Sequence, residues 1–76
     1  MFNLDDYYVC LQKKYKDMLS ASVFTGIDKK NVISGWCFGQ MDSLNIMFQL
    51  DIIDYNECDF LFKYLQSILS DLNNNK

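Results

Sequence analysis

The residues with the most obvious chemical potential are four carboxylates near the start of the last third of the chain. Asp51, Asp54, Glu57 and Asp59 lie within nine residues of one another. Neighbouring carboxylates can serve in acid–base catalysis or bind a divalent cation. Asp54 and Glu57, however, have the spacing of a helix cap, and the segment lacks the glycine and ligand spacing of an EF-hand loop. The pattern therefore favours neither a catalytic nor a metal site.

The other residue types exclude most familiar active sites. The chain has no histidine, which removes Ser-His-Asp and Cys-His nucleophiles and histidine-ligated metals. It has no arginine, the residue that binds phosphate and carboxylate groups through a planar fork of donors. It also contains no glycine-rich phosphate-binding motif. We therefore expect a protein that is not an enzyme and that uses no metal or cofactor.

The cysteines predict a reducing compartment. Cys10, Cys37 and Cys58 form an odd set without a CxxC pair, which favours buried, reduced thiols over disulfides or zinc ligation. The first residues do not resemble a signal peptide, because polar side chains interrupt any apolar run. The long apolar stretch at residues 32 to 50 includes six polar side chains, too many for a membrane span. We expect a protein in the cytoplasm of a bacterial host cell, without membrane contact.

Hydrophobic periodicity predicts an all-α fold in a single domain, residues 1 to 76. Helices are expected at about residues 4 to 22, 29 to 49 and 55 to 72. The first and third have one apolar stripe each, as expected for helices that pack on one side. We therefore predict a compact three-helix bundle.

Each predicted helix has a candidate residue for its start. Asn3 and Asp28 are expected to cap the first and second helices. The third helix has the clearest signal, because Asp54 and Glu57 form a capping box, with Ile53 before it available for a hydrophobic staple.

The second helix is apolar on nearly every side, so we predict that it is the buried central helix of the bundle. Its expected core stripe comprises Ile33, Trp36, Cys37, Gln40, Leu44, Met47 and Phe48. A strand over residues 31 to 38, broken by Gly35, stays open as an alternative. Gly35, Gly39 and Ser43 form a row of small residues at intervals of four, where a second backbone can approach closely. This row predicts self-association, most simply as a homodimer.

The negative charge is concentrated in one part of the chain. Residues 1 to 50 contain equal numbers of lysines and acids, so the net charge of −3 lies entirely in residues 51 to 76. One interpretation is an acidic turn that docks on a basic surface of a partner protein. The other is that these acids only favour a helix start through the helix dipole. Acids at the start of the third helix also argue against direct binding to nucleic acid.

Residues 35 to 61 resemble small helical proteins encoded by phages and mobile elements of low-GC Gram-positive bacteria. The resemblance rests on a glycine-spaced helix, a Leu-x-Ile turn and a capped acidic helix. The matching positions are Gly35, Gly39, Asp42, Leu44, Leu50, Ile52 and Glu57. It implies a phage-accessory protein that inhibits a host protein, as anti-CRISPR proteins do.

Two functional hypotheses follow. In the first, the protein inhibits a host protein such as a CRISPR nuclease or another nucleic-acid-binding complex. The expected partner-binding residues are Asp51, Asp54, Tyr55, Glu57 and Asp59. In the second, it is a structural or regulatory homo-oligomer that associates through Gly35, Gly39 and Ser43. A dimer can also present two acidic turns, so the hypotheses are compatible.

Overall fold

A computed structural model describes residues 2 to 23 and 25 to 74 as three helices joined by two short connections. The helices are α1 (Leu4–Ser20), α2 (Gly26–Gln49) and α3 (Tyr55–Asn74). The described residues contain no strand, which confirms the predicted all-α three-helix bundle. Residues 31 to 38 lie within α2, so the strand alternative is wrong.

Contacts between the helices define an up-down-up arrangement. Near the start of α1, the Tyr7 hydroxyl donates a hydrogen bond of 2.9 Å to Gln40 Oε1 in the second half of α2. The Tyr8 ring packs edge to face on Tyr64 of α3, with centroids 4.9 Å apart. Phe48, near the end of α2, faces Tyr55 at the start of α3. The first turns of α1 and α3 therefore lie at the same end of the bundle as the end of α2.

The core is formed by one face of each helix. Its buried residues are Leu11, Met18, Ile33, Cys37, Leu44, Ile53, Leu61, Leu65 and Ile68. Half-buried aromatic and aliphatic side chains, Trp36 and Tyr15 among them, pack around this centre. The apolar stripes predicted for α1 and α3 supply their buried residues, so these two faces are confirmed. Burial of such side chains is the main term that stabilises a domain of this size.

Polar contacts at both ends of α1 satisfy backbone groups that the helix leaves free. Asn3 Oδ1 accepts a hydrogen bond of 2.9 Å from the Asp6 amide, which confirms the predicted cap. At the other end, Lys29 Nζ donates a hydrogen bond of 2.6 Å to the Leu19 carbonyl. A cation at this position also interacts favourably with the helix dipole. This contact joins the end of α1 to the start of α2.

The predicted start of the second helix is three residues too late. α2 begins at Gly26, and Thr25 is its cap residue, without a side-chain hydrogen bond. Asp28 therefore does not cap the helix but lies in its first turn, with its amide bonded to the Thr25 carbonyl at 3.2 Å. Gly26 has a φ of +57°, which turns the chain directly into the helix. Only glycine adopts this conformation without steric cost, so the helix begins where the glycine allows it.

The prediction that α2 is buried on nearly every side is not met within one chain. Ile33, Cys37 and Leu44 are buried on the side that faces the other helices. The opposite side is exposed although much of it is apolar. The exposed apolar side chains of α2 include Val32, Phe38 and Ile46. The reason is geometric: α1 and α3 pack on the same side of α2, and two neighbours cannot surround a helix.

We predict opposite effects for alanine at different glycines. A Cβ added at Gly35 or Gly39 meets no atom within 4 Å, so G35A and G39A should each raise the free energy of unfolding by about 0.5–1 kcal/mol. G26A should lower it by about 1 kcal/mol, because its positive φ is unfavourable for alanine. Urea denaturation at low protein concentration measures both effects. Destabilisation by G39A would contradict the open environment of that position.

Candidate functional site

The connection between α2 and α3 is a compact turn closed by backbone hydrogen bonds. The Asp51 amide donates to the Phe48 carbonyl at 3.1 Å, and the Ile52 amide donates to the Met47 carbonyl at 2.9 Å. This pair of bonds is the Schellman arrangement, which ends a helix with one residue in the left-handed conformation. Asp51 occupies that position with a φ of +61°, although glycine is the usual residue there. The turn therefore holds the Asp51 backbone in a strained but well-defined geometry.

The predicted capping box is present at the start of α3. Asp54 Oδ1 accepts a hydrogen bond of 2.8 Å from the Glu57 amide. Glu57 Oε1 in turn accepts one of 2.9 Å from the Asp54 amide. Ile53 is buried, and Cys58 packs against the same core, as expected for the hydrophobic staple. Both carboxylates thus have a structural role that requires no partner protein.

The other two acids of the turn differ from each other. Asp59 forms a salt bridge of 2.9 Å with Lys63, one helical turn further along α3. The hydrogen bond with Asp59 raises the pKa of Lys63. Asp51 is exposed and has no side-chain hydrogen bond or ion pair to any residue that the structure describes. Among the four predicted acids, Asp51 is therefore the one whose carboxylate is left available.

Three large, mainly apolar side chains close to Asp51 in the sequence are exposed. Leu50, Ile52 and Tyr55 are 66%, 50% and 68% exposed. The Tyr55 ring has one aromatic neighbour, Phe48, with centroids 6.5 Å apart. We call Leu50, Asp51, Ile52 and Tyr55 the turn surface. It combines a free carboxylate with three apolar groups on a rigid connection, a composition typical of protein contacts.

The row of small residues predicted for self-association lies on the solvent side of α2. Gly35, Gly39 and Ser43 are all exposed, and a Cβ placed on either glycine would have no atom of another part of the described chain within 4 Å. Val32 and Ile46 extend the row in both directions at helical spacing. We call these five residues the outer face of α2. The close packing that would compensate for the glycines is therefore absent within one chain.

A cleft that the sequence did not predict lies between α1 and α2. It has a volume of about 370 Å³. Its lining residues are Tyr7, Cys10, Leu11, Lys14, Trp36 and Gln40. The one indication in the sequence was Gln40, a polar residue within an otherwise apolar stripe. Burial raises the pKa of Tyr7, so its hydroxyl stays protonated and donates to Gln40.

The three cysteines differ in exposure. Cys37 is fully buried, and burial raises the pKa of its thiol to about 11, which keeps it protonated and unreactive at neutral pH. Cys58 is half-buried, and its pKa is also raised, mainly by burial and to a smaller extent by the negative charge of Asp59. Cys10 is exposed beside the cleft, contrary to the expectation that all three are buried. Within residues 2 to 23 and 25 to 74, no group of side chains is suited to hold a metal ion.

Charge is distributed unevenly along the long axis of the molecule, which measures 38 Å. Asp5 and Asp6 in the first turn of α1 lie at the same end as the acidic turn. Most lysines lie toward the other end, where Lys29 reaches the last turn of α1. These lysines are Lys13, Lys14, Lys16, Lys29 and Lys30. The turn surface therefore belongs to the acidic end of the molecule.

None of the described helices is both long enough and apolar enough to span a membrane. Comparisons with protein families, with curated proteins and with solved structures found no match to this chain.

We predict that the Asp54 side chain stabilises the fold through its cap and not through its charge. D54A should lower the free energy of unfolding by about 1 kcal/mol, because the Glu57 amide loses its acceptor. D54N should change it little, because asparagine caps helices as well as aspartate does. Thermal and urea denaturation of the two variants make the comparison. Equal losses in both would show that the charge, rather than the hydrogen bond, stabilises α3.

Proposed function

We propose that this protein is a non-enzymatic protein-binding protein that docks its turn surface on a basic site of a partner. The resemblance of residues 35 to 61 to phage and mobile-element proteins suggests the biological setting. In that setting the partner is a host defence nuclease or another nucleic-acid-binding complex, and the protein is an inhibitor of the anti-CRISPR type.

The observation that carries this proposal is the exposure of Leu50, Ile52 and Tyr55 around the free carboxylate of Asp51. Large apolar side chains grouped on a surface are a mark of interaction sites, whereas isolated ones are common everywhere. Tyrosine in particular is enriched among the residues that dominate binding energy. The two helix ends hold the turn by backbone and capping bonds. Little conformational entropy is therefore lost when a partner binds it.

The charge distribution supports a basic partner. The acids of the turn and those of the first turn of α1 lie at one end, and most lysines lie toward the other. Such a separation orients the molecule in the field of a positively charged groove and accelerates association. Grooves of this kind bind the phosphate backbone of nucleic acids. Because Asp54, Glu57 and Asp59 already have partners within the chain, we assign them to long-range steering and Asp51 to direct contact.

The test separates charge from fold by substituting amides for the acids. The variant D51N/D54N/E57Q removes three charges but keeps both helix-end motifs. Asparagine tolerates the left-handed conformation at position 51 and caps a helix at position 54. Glutamine at position 57 completes the capping box. The tagged protein is used to capture its partner from a lysate of a low-GC bacterium that has CRISPR and restriction systems. The association and dissociation rates of each variant are then measured with the purified partner. We expect Y55S to weaken binding about tenfold or more, and the amide variant to slow association and reduce its salt dependence.

Matched controls lie at the opposite end of the molecule. V23S removes an apolar side chain that is even more exposed than Tyr55, and D17N removes one exposed acid. Both should bind the partner as the unsubstituted protein does. Docking through the turn surface would be contradicted if neither Y55S nor the amide variant changed binding to the partner. It would also be contradicted if the two control variants weakened binding as much as they do.

A second candidate function, a homo-oligomeric structural or regulatory protein, is favoured by the outer face of α2. Val32 and Ile46 lie exposed on either side of Gly35 and Gly39, where a second helix can approach the backbone closely. Packing of two such faces would bury apolar surface that the single chain leaves in water. It would also compensate for the cost of two glycines within a helix.

We predict for this alternative that light scattering at about 0.1 mM gives twice the 9.0 kDa mass of the chain, and that G39L returns the mass to that of the monomer. A leucine at this position has open space in the single chain, so its fold should be retained. Q12L, which adds a similar side chain on the exposed side of α1, serves as the control and should leave the mass unchanged. A monomeric mass for the unsubstituted protein would exclude self-association through this face.

A further inference from the structure

The cleft between α1 and α2 is lined by both apolar and polar groups. Leu11 and Trp36 supply the apolar surface, and Lys14, Tyr7 and Gln40 supply polar atoms. The cleft is largely open to solvent, and its volume of about 370 Å³ is close to that of the smallest ligand pockets, roughly 300 Å³. A cleft of this size accommodates a single small ring system and not an extended chain.

The polar groups of the cleft are mostly donors. The Tyr7 hydroxyl donates a hydrogen bond of 2.9 Å to Gln40 Oε1, and this bond orients the side-chain amide of Gln40. The amide NH₂ group of Gln40 and the indole N–H of Trp36 are donors, and Lys14 supplies a positive charge. None of the six lining residues is acidic. The cleft is therefore complementary to an anion, although the protein as a whole is negatively charged.

From these features we propose that the α1–α2 cleft binds a small aromatic carboxylate. The ring lies on Trp36 and Leu11, and the carboxylate accepts hydrogen bonds from Lys14 and from the Gln40 amide. Aromatic rings pair favourably with other aromatic rings, and charge-assisted hydrogen bonds orient the carboxyl group. This site shares no residue with the turn surface or with the outer face of α2, so it does not depend on the proposed function.

The chain contains its own reporter for this site, because Trp36 is its single tryptophan. Phenylacetate is titrated into the full chain while the Trp36 fluorescence and the Trp36 indole N–H resonance are recorded. Its neutral analogue phenylacetamide is titrated in parallel at the same ionic strength. We expect saturable binding with a dissociation constant in the millimolar range, as befits a ligand of about ten non-hydrogen atoms. Phenylacetate should bind about fivefold more tightly than phenylacetamide, because only the carboxylate forms a partly exposed ion pair with Lys14.

Substitutions at neighbouring lysines separate the cleft from general electrostatic attraction. K14Q should abolish the preference for the acid over the amide. K13Q removes the same charge one residue earlier, from a side chain that does not line the cleft, and should retain the preference. Y55S should leave the binding of phenylacetate unchanged, so failure of the docking proposal does not affect this result. The proposal would be overturned if the Trp36 signal rose linearly with phenylacetate without saturating. It would also be overturned if phenylacetate and phenylacetamide bound equally well, or if K13Q and K14Q changed the preference for the acid equally.

Discussion

The middle helix of this bundle carries apolar side chains around most of its circumference, but only two helices are available to cover it. α1 and α3 both pack on the side that contains Ile33, Cys37 and Leu44. The outer face of α2 is left in water as a consequence, with its glycines open to approach. This exposed face follows from the shortage of cover in a chain of 76 residues. Proteins of this size commonly complete their apolar burial through association.

The connection between α2 and α3 combines structural and candidate binding roles in a few residues. Asp54 and Glu57 satisfy backbone groups at the start of α3, and Asp59 pairs with Lys63. These contacts account for three of the four acids without any partner. The Schellman bonds close the turn at Asp51, between its exposed apolar neighbours in the sequence. Local helix-end chemistry thus orders the surface on which the proposed docking depends.

The cleft between α1 and α2 arises from unequal packing of the three helices. The backbones of α2 and α3 approach each other at many positions, whereas those of α1 and α2 approach each other at few. The Tyr7–Gln40 hydrogen bond crosses the space between α1 and α2 beside this cleft. Polar and apolar groups therefore line the same partly open cleft.

The amino-acid sequence by itself determined the helical fold, the apolar faces of α1 and α3, the Asn3 cap and the capping box at Asp54 and Glu57. These features depend on neighbours within a few residues, so spacing alone reveals them. Only the tertiary structure decided that α2 begins at Gly26, that one side of α2 is exposed, and that Tyr7 of α1 meets Gln40 of α2. The first depends on a positive φ, and the others depend on how distant helices pack. Periodicity marks a side chain as apolar, but which helix covers it is decided by the fold as a whole.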